Sequence, residues 1–382
     1  MSPLIVAIYA VIFATMLAQF MAGIMMPLML VLWLIVIIWL LFRAQLLPEK
    51  LMDLIDKYTD KDKLLSAITE SEKKAEHIDN VALQKHIESR VIGQPVVAGQ
   101  IAKGITRRMA QKRNHKPVFS VLLSGPTGTG KTEIAKAVTE FLFKDEKNMF
   151  RVDCGNMAEH GVSSLVGSPK GYAGSDEWGS LSKALKTNPK TVILFDEVEK
   201  AGKTKDAPLY KILLSLLDEG RLTEQSNQKA VDASQAIIIM TSNANADELA
   251  AIADRYKDDA EQLTRATKDS LQSTFAPELL ARIDLVTTVS QLGNEDKARI
   301  CILHLEKLCS SYDLKLSHID YKLLVKAVER STVLSSYGTR ELIRWLENLV
   351  SDELIEAQKK NADEITIEFE GDEVKVEIAT YR

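Results

Sequence analysis

The sequence predicts an α/β protein in which a phosphate-loop domain with a parallel sheet is followed by a small α+β domain and preceded by transmembrane helices. Three observations lead to this prediction. The octet GPTGTGKT stands at 125–132, apolar runs alternate with helical patterns from 86 to 290, and the first 42 residues contain no Asp, Glu, Lys or Arg. The predicted boundaries are 1–42 for a membrane anchor, 43–85 for a charged helical linker, 86–290 for the large domain and 291–382 for the small domain.

The N-terminal stretch is too long and too apolar for an ordinary globular helix. As one helix, residues 4–42 would extend about 60 Å, twice the ~30 Å hydrocarbon core of a bilayer. Two spans at 3–20 and 24–42, which form a hairpin, fit better, and one span at 24–42 after an interfacial helix is the alternative. A cleaved signal peptide is not expected, because a basic n-region and a small-residue cleavage site are both missing.

The location of the remaining chain follows from the bases just after the anchor. Positive residues favour the cytoplasmic side of a membrane, and here they are Arg43, Lys50, Lys57, Lys61 and Lys63. We therefore expect a membrane protein, at the inner membrane of a bacterium, whose chain after the anchor is cytoplasmic. The charged and periodic residues 43–85 predict short amphipathic helices, either as a solvated stalk or as a partner-binding segment.

Composition argues against several function classes. The net charge of −5 is opposite in sign to a surface that binds duplex nucleic acid, so we expect no nucleic-acid partner. The three cysteines, Cys154, Cys301 and Cys309, form no disulfide framework and have no metal-ligand spacing. The absence of H-E-x-x-H excludes a zincin-type protease.

Strand and helix patterns divide the part after the linker into two domains. Apolar runs predict parallel strands of the large domain at 118–124, 148–153, 191–195 and 236–241. The small domain is predicted from helical patterns at 295–312, 319–331 and 338–360, followed by alternating strands at Glu364–Glu370 and Glu373–Thr380.

The glycine-rich octet follows a β-prone run and precedes a helical pattern, which is the order a phosphate-binding loop requires. Glycines let the backbone curl so that its N–H groups face the phosphates. Lys131 is expected to reach the β- and γ-phosphates of ATP or GTP, and the Thr132 hydroxyl is expected to bind Mg²⁺. The predicted loop residues are Gly125, Pro126, Thr127, Gly128, Thr129, Gly130, Lys131 and Thr132.

Two carboxylates end the apolar run TVILFDEVEK at 191–200. Carboxyl ends of parallel strands meet at one edge of a sheet, so these groups are expected beside the phosphate loop. Asp196 can hold the water shell of Mg²⁺, and Glu197 can polarise the water that attacks the γ-phosphate.

A set of ordered motifs makes the chain resemble a known family. The motifs are VIGQ at 91–94, GPTGTGKT, SSLVGSPKGYAG at 163–174, VILFDEVEK, LLSLLDEGRLTE at 213–224, IIIMTSN, FAPELLARID at 275–284 and YGTREL at 337–342. Over roughly 86–382 the sequence is similar to the Clp-type AAA+ unfoldases, most of all to the C-terminal ATPase module of the two-ring Clp ATPases and disaggregases. The resemblance implies a P-loop AAA+ fold, hexameric rings, ATP with Mg²⁺ as cofactors, and protein substrates pulled through a central pore.

Single residues acquire roles through this resemblance. Val91 and Ile92 would pack on the adenine. Asn243, at the tip of the strand 236–241, would orient the attacking water, as a polar residue does there in ring ATPases. Arg282 would be the arginine finger that reaches the neighbouring subunit's γ-phosphate, and Arg340 would sense the bound nucleotide.

A further implication concerns substrate contact, because Tyr172 matches the pore loop that grips the polypeptide. The chain also departs from the family, with one ATPase module and an anchor and linker in place of a large N-terminal domain. The stretch 202–211 is longer than usual, which leaves a second pore loop in doubt. Between Asn243 and Phe275 there is no hydrophobic-Gly-hydrophobic tripeptide, so docking to a Clp-type protease chamber is not expected.

Together these patterns predict a membrane-anchored, ring-forming ATPase that unfolds or remodels proteins at the cytoplasmic face of a membrane. The alternative is an assembly factor or scaffold whose ATP state switches partner binding without processive threading. A nucleic-acid motor is a third hypothesis, and the acidic net charge argues against it.

Overall fold

The computed structural model describes residues 78–111, 116–157, 161–169, 171–172, 177–201, 207–333, 339–371 and 373–378. All of them belong to one compact unit, His77–Arg382. The predicted anchor 1–42, and the predicted linker up to residue 77, lie outside the described residues. Among the described segments, no helix combines the length and the apolar character that a membrane span requires.

The strands in these segments are β1 (Phe119–Ser124), β2 (Met149–Asp153), β3 (Val192–Asp196), β4 (Arg221–Thr223), β5 (Ala230–Asp232), β6 (Ile237–Ser242), β7 (Leu285–Thr288), β8 (Lys315–Ile319), β9 (Glu364–Glu370) and β10 (Glu373–Ile378). The α-helices are α1 (Asn80–Arg90), α2 (Pro95–Met109), α3 (Lys131–Phe143), α4 (Gly161–Val166), α5 (Ser180–Thr187), α6 (Pro208–Glu219), α7 (Ala246–Arg255), α8 (Ala260–Leu271), α9 (Pro277–Arg282), α10 (Asn294–Ser311), α11 (Tyr321–Val333) and α12 (Thr339–Lys359).

A parallel five-stranded sheet forms the centre of the unit, in the order β2-β3-β6-β1-β7. Four of its strands confirm the predicted ones to within a residue at each end, and β7 was not predicted. Because all five strands run in one direction, their carboxyl ends lie along one edge of the sheet. That edge therefore receives the phosphate loop after β1, Asp196 at the end of β3, and Asn243 just after β6.

Both faces of the sheet are covered, which explains why β1, β3 and β6 read as continuous apolar runs. Leu122, Phe195 and Met240 lie in a hydrophobic cluster that also takes residues from α5 and α6. Leu123 lies in the cluster on the opposite face, which takes residues from α1, α2 and α3. One member of that cluster, Leu83, is fully buried although it falls within the segment predicted as linker.

A third hydrophobic cluster joins α10, α11 and α12 to a three-stranded sheet in the order β10-β9-β8. The three C-terminal helices confirm the predicted patterns to within two residues at each end, and β9 confirms the strand predicted at Glu364–Glu370. The second predicted strand ends at Ile378 in the structure, where the described residues stop. Strand β8, parallel to β9, was not predicted. The boundary predicted at 290/291 stays a prediction.

Candidate nucleotide-binding site

The phosphate loop needs glycine at two places for steric reasons. Gly125 and Gly130 have φ angles of +133° and +94°, which L side chains rarely adopt. A Cβ on Gly125 would lie 2.9 Å from a methyl carbon of Val289, and one on Gly130 would lie 2.8 Å from a methyl carbon of Val91. The loop is therefore pressed against its surroundings on one side, and helix α3 begins directly after it at Lys131.

Lys131 is buried, and its ammonium group donates hydrogen bonds to the carbonyl oxygens of Gly125 (2.7 Å) and Pro126 (2.8 Å). The Thr129 hydroxyl also donates to the Pro126 carbonyl, at 2.7 Å. Burial lowers the pKa of Lys131 to about 8, a direction that the positive charge of Arg340 reinforces. An ammonium group in this position has lost hydration that an anionic phosphate could replace.

A cavity of about 670 Å³ lies beside the loop. It brings together most of the site residues predicted from the sequence, namely Val91, Ile92, Thr127, Gly128, Thr129, Gly130, Lys131, Thr132, Asp196, Glu197, Asn243 and Arg340. Gly125 and Pro126 do not line the cavity and contribute instead the carbonyl oxygens that hold Lys131.

Both oxygens of the Asp196 carboxylate accept a hydrogen bond. The Thr241 hydroxyl donates to Oδ1, and an Arg151 guanidinium nitrogen lies 2.5 Å from Oδ2. Sequence reasoning missed Arg151 and Thr241, since β2, β3 and β6 are separated along the chain and only the strand order makes them neighbours. The threonine in the tip IIIMTSN was an available signal for Thr241.

Glu197 is a non-glycine residue with a φ of +57°, an uncommon conformation that concentrates at functional sites. Its backbone N–H donates to the Thr241 hydroxyl (3.1 Å), which fixes the turn after β3. One carboxylate oxygen lies 2.5 Å from the ammonium nitrogen of Lys200, and the other accepts from the Asn243 amide at 3.4 Å. The structure therefore places Asn243 against Glu197, and it adds Lys200, which sequence reasoning missed.

The start of helix α12 closes the cavity from another direction. The Thr339 hydroxyl donates to the carbonyl of Gly128 in the phosphate loop, at 2.8 Å. Its neighbour Arg340 lines the cavity. Ile300 and Leu303 of α10 add apolar lining that sequence reasoning missed, because nothing in a helical pattern shows that one face borders a ligand cavity.

The donors in this cavity fit a nucleoside triphosphate with Mg²⁺. Lys131, Arg340 and the free N–H groups at the start of α3 suit phosphate oxygens. Thr132 and Asp196 offer the hard oxygen ligands that Mg²⁺ prefers. The apolar lining from Val91 and other aliphatic side chains suits a planar base.

Two predicted functional residues lie away from this cavity. Arg282 ends helix α9, where its guanidinium is 2.9 Å from Glu278 and 3.7 Å from Asp218. Tyr172 is 71% exposed. Neither residue lines the nucleotide cavity of its own chain.

Comparison with known proteins gives consistent matches. The model of the AAA domain of the Cdc48 subfamily matches residues 116–286. The ATP-binding subunit ClpC of the ATP-dependent Clp protease from Staphylococcus aureus is 34% identical over 330 residues, which are 81% of this chain and 38% of that protein. Chaperone protein ClpB 1 from Synechocystis sp. is 37% identical over 295 residues, 75% of this chain and 32% of that protein.

Among solved structures, a closed state of Hsp104 determined with ATPγS and FITC casein is similar, with a TM-score of 0.64 and 28% identity. The match covers 81% of this chain and 52% of the Hsp104 chain, so this chain spans about half of that relative and less than two fifths of the two others. These matches agree with the parallel sheet, its phosphate loop and the acidic end of β3. The chain therefore carries an AAA+ ATPase module of the Clp/Hsp104 type.

Proposed function

We propose that the chain is a membrane-anchored, ring-forming ATPase that uses ATP hydrolysis to unfold or remodel proteins at the cytoplasmic face of a membrane. The observation that carries the proposal is the convergence of the phosphate loop, Glu197 and Asn243 on one cavity. A switch that only binds nucleotide needs the loop. Hydrolysis also needs a group that activates water, and Glu197 is held at the cavity by partners on both of its oxygens.

AAA+ ATPases of the Clp family use ATP with Mg²⁺; bound here, the nucleotide supplies a phosphoanhydride bond and the metal neutralises phosphate charge. Lys131 and Arg340 would bind phosphate oxygens, and Thr132 and Asp196 would hold the metal. The Glu197 carboxylate orients a water molecule and accepts its proton. The Asn243 amide keeps that carboxylate in place.

Hydrolysis in this proposal requires a neighbouring subunit. Arg282 stands outside its own cavity, and its present partners, Glu278 and Asp218, are carboxylates of the same chain. Its side chain keeps 26% of its surface exposed, so it can reach a second molecule. An arginine that crosses an interface stabilises transition-state charge in the adjacent site. We infer a homo-oligomer, and the resemblance to Clp-type ATPases favours a hexamer.

The substrate is proposed to be protein. Tyr172 is exposed beside Gly171, where an added Cβ would meet nothing within 4 Å, so the ring is not packed into a core. Large aromatic side chains exposed on loops often contact ligands. The acidic net charge disfavours nucleic acid, and docking to a Clp-type protease chamber is not part of the proposal.

Casein-stimulated ATPase activity tests the substrate class, and the chain offers a matched control. Tyr172→Ala should abolish stimulation by casein, whereas Tyr321→Ala removes an equally exposed tyrosine (70%) from helix α11 and should leave stimulation intact. Single-stranded DNA should not stimulate either protein. An assembled, nucleotide-binding chain that casein never stimulates would instead favour the assembly-factor alternative.

The membrane proposal rests on residues 1–42, which contain no charged side chain. We expect the full-length protein to stay in the membrane fraction after carbonate extraction. Deletion of residues 1–42 should release an ATPase into the soluble fraction. Recovery of the full-length chain as a soluble protein would contradict the anchor. Protease protection of tags at both termini separates the hairpin from the single span.

A further inference from the structure

A fully buried carboxylate, Glu224, follows strand β4 at the start of the connection to β5. Its oxygens accept hydrogen bonds from the backbone N–H of Gly179 (3.2 and 3.4 Å) and from the Ser226 hydroxyl (2.8 Å) and N–H (3.4 Å). No basic side chain pairs with it among the residues that the structure describes. Burying a carboxylate costs free energy that these N–H and O–H donors must offset.

The contacts of Glu224 tie together the two ends of the segment 168–178, which carries Tyr172. A Cβ on Gly167 would lie only 1.9 Å from a Glu224 carboxylate oxygen, and Gly167 has a φ of +82°. A Cβ on Gly179 would lie 2.3 Å from the backbone nitrogen of Gly167. The two ends therefore touch each other, and both of them touch Glu224.

The same connection is anchored to its surroundings by the main chain. The N–H of Gln225, next to Glu224, donates to the carbonyl of Val166 at 2.7 Å, just before the segment begins. The β4–β5 hairpin is closed by a bond from the Ala233 N–H to the Gly220 carbonyl, also 2.7 Å. Gly220 directly follows helix α6, whose Asp218 faces Arg282 at 3.7 Å.

We propose that Glu224 is a positioning residue that fixes both ends of the Tyr172 segment to the β4–β5 hairpin, so that force on Tyr172 passes into the body of the domain. The proposal rests on the proposed function in so far as Tyr172 grips substrate. A segment tied at one end could yield under load. Because both ends of the segment meet on one carboxylate, these ends move with the hairpin and with helix α6.

The test uses the full-length protein and compares Glu224→Gln with Glu219→Gln. Glu219 is an exposed carboxylate of the same region that pairs with exposed Arg221, so it is the matched control. An amide in place of the Glu224 carboxylate keeps one acceptor oxygen but turns its NH2 group toward one of the donors, which weakens the tie. Hydrogen exchange measured by mass spectrometry shows how well the Gly179 and Gln225 amides are protected. Casein-stimulated ATPase activity shows whether the Tyr172 segment still acts on substrate.

In Glu224→Gln we expect exchange at the Gly179 and Gln225 amides to accelerate at least tenfold, with peptides from β1 and β6 unchanged. The ratio of casein-stimulated to basal ATPase should fall at least fivefold, and Glu219→Gln should match the unmutated protein in both measurements. Faster exchange throughout β1 and β6 would mean a merely structural carboxylate and would overturn the proposal. A stimulation ratio equal to that of the control would overturn it as well.

Two additional variants keep the test decisive. If Glu224→Gln does not fold, Ser226→Ala removes one hydroxyl donor and is judged by the same two measurements, with smaller expected changes in the same directions. Tyr172→Ala separates the two proposals. If that variant keeps its casein stimulation, the proposed function fails, and the exchange pattern of Glu224→Gln alone then decides whether Glu224 fixes the segment.

Discussion

The low pKa of Lys131 predicts that nucleotide affinity falls as the pH rises through 8. Burial lowers this pKa from its ordinary 10.5 to about 8. The charged ammonium group is the form that binds phosphate, and several phosphate charges close to it should return the pKa to its ordinary range or above. Binding therefore takes up a proton when the pH exceeds the pKa of the free site, and the cost of this uptake grows with pH.

The magnitude follows from the fraction of Lys131 that is charged before binding. With a pKa of about 8, that fraction is about three quarters at pH 7.5 and about one tenth at pH 9. If the bound ammonium stays fully charged at both values, the dissociation constant rises about eightfold over this interval, or about 1.2 kcal/mol. The number of protons taken up per nucleotide should rise from about a quarter to about nine tenths.

Isothermal titration calorimetry with a non-hydrolysable ATP analogue and Mg²⁺ measures both quantities when it is repeated in buffers of different ionisation enthalpy. The matched control is Lys147→Gln, which removes an exposed lysine that does not line the cavity. This variant should keep the full pH dependence. A dissociation constant that changes less than twofold between pH 7.5 and 9, without proton uptake, would refute the reasoning.

Three other predictions follow from the site and the core. Glu197→Gln should bind ATP with unchanged affinity but hydrolyse it at least a hundredfold more slowly in a phosphate-release assay; equal rates would remove Glu197 from its role. Arg282→Ala should bind ATP normally but hydrolyse it slowly. Mixing it with Glu197→Gln subunits should restore part of the activity, because a mixed interface can pair an intact Arg282 with an intact Glu197. No restored activity would indicate that each chain hydrolyses ATP on its own. Leu83→Ala should lower the free energy of unfolding, measured by urea titration, by about 2–5 kcal/mol. If Leu83 belonged to a solvated linker, the same substitution would lower it by less than about 0.5 kcal/mol.

Sequence reasoning found β1, β3 and β6 because each is a buried, mainly apolar run of five or six residues. It also found β2, although only Val152 of that strand is buried. It missed β7, β4 and β5, which have three or four residues each and therefore too short a pattern to stand out from the neighbouring turns. It also missed β8, whose residues are mostly exposed and alternate irregularly around a bulge. Short strands depend on pairing partners that lie far away in the chain.

The same limit applies to the site. Motif spacing located Lys131 and Glu197, whose roles follow from one continuous stretch of sequence each. The pairing of Arg151 with Asp196 depends on which strands are neighbours, and the burial of Glu224 depends on how a hairpin meets the ends of another segment. Arg151 stands in none of the motifs, and although Glu224 ends the motif LLSLLDEGRLTE, nothing in that motif indicates that its carboxylate is buried.

The hydrogen bond from Thr339 to Gly128 has a mechanical consequence, because it attaches the first residue of a long, rigid rod to the phosphate loop. Helix α12 has 21 residues and is therefore about 31 Å long. A tilt of about 10° at Thr339 would carry its far end, near Lys359, through about 5 Å, given that length. A small rotation of the helix at the phosphate loop is thus amplified along its length, so that the far end of α12 moves by as much as one helical turn.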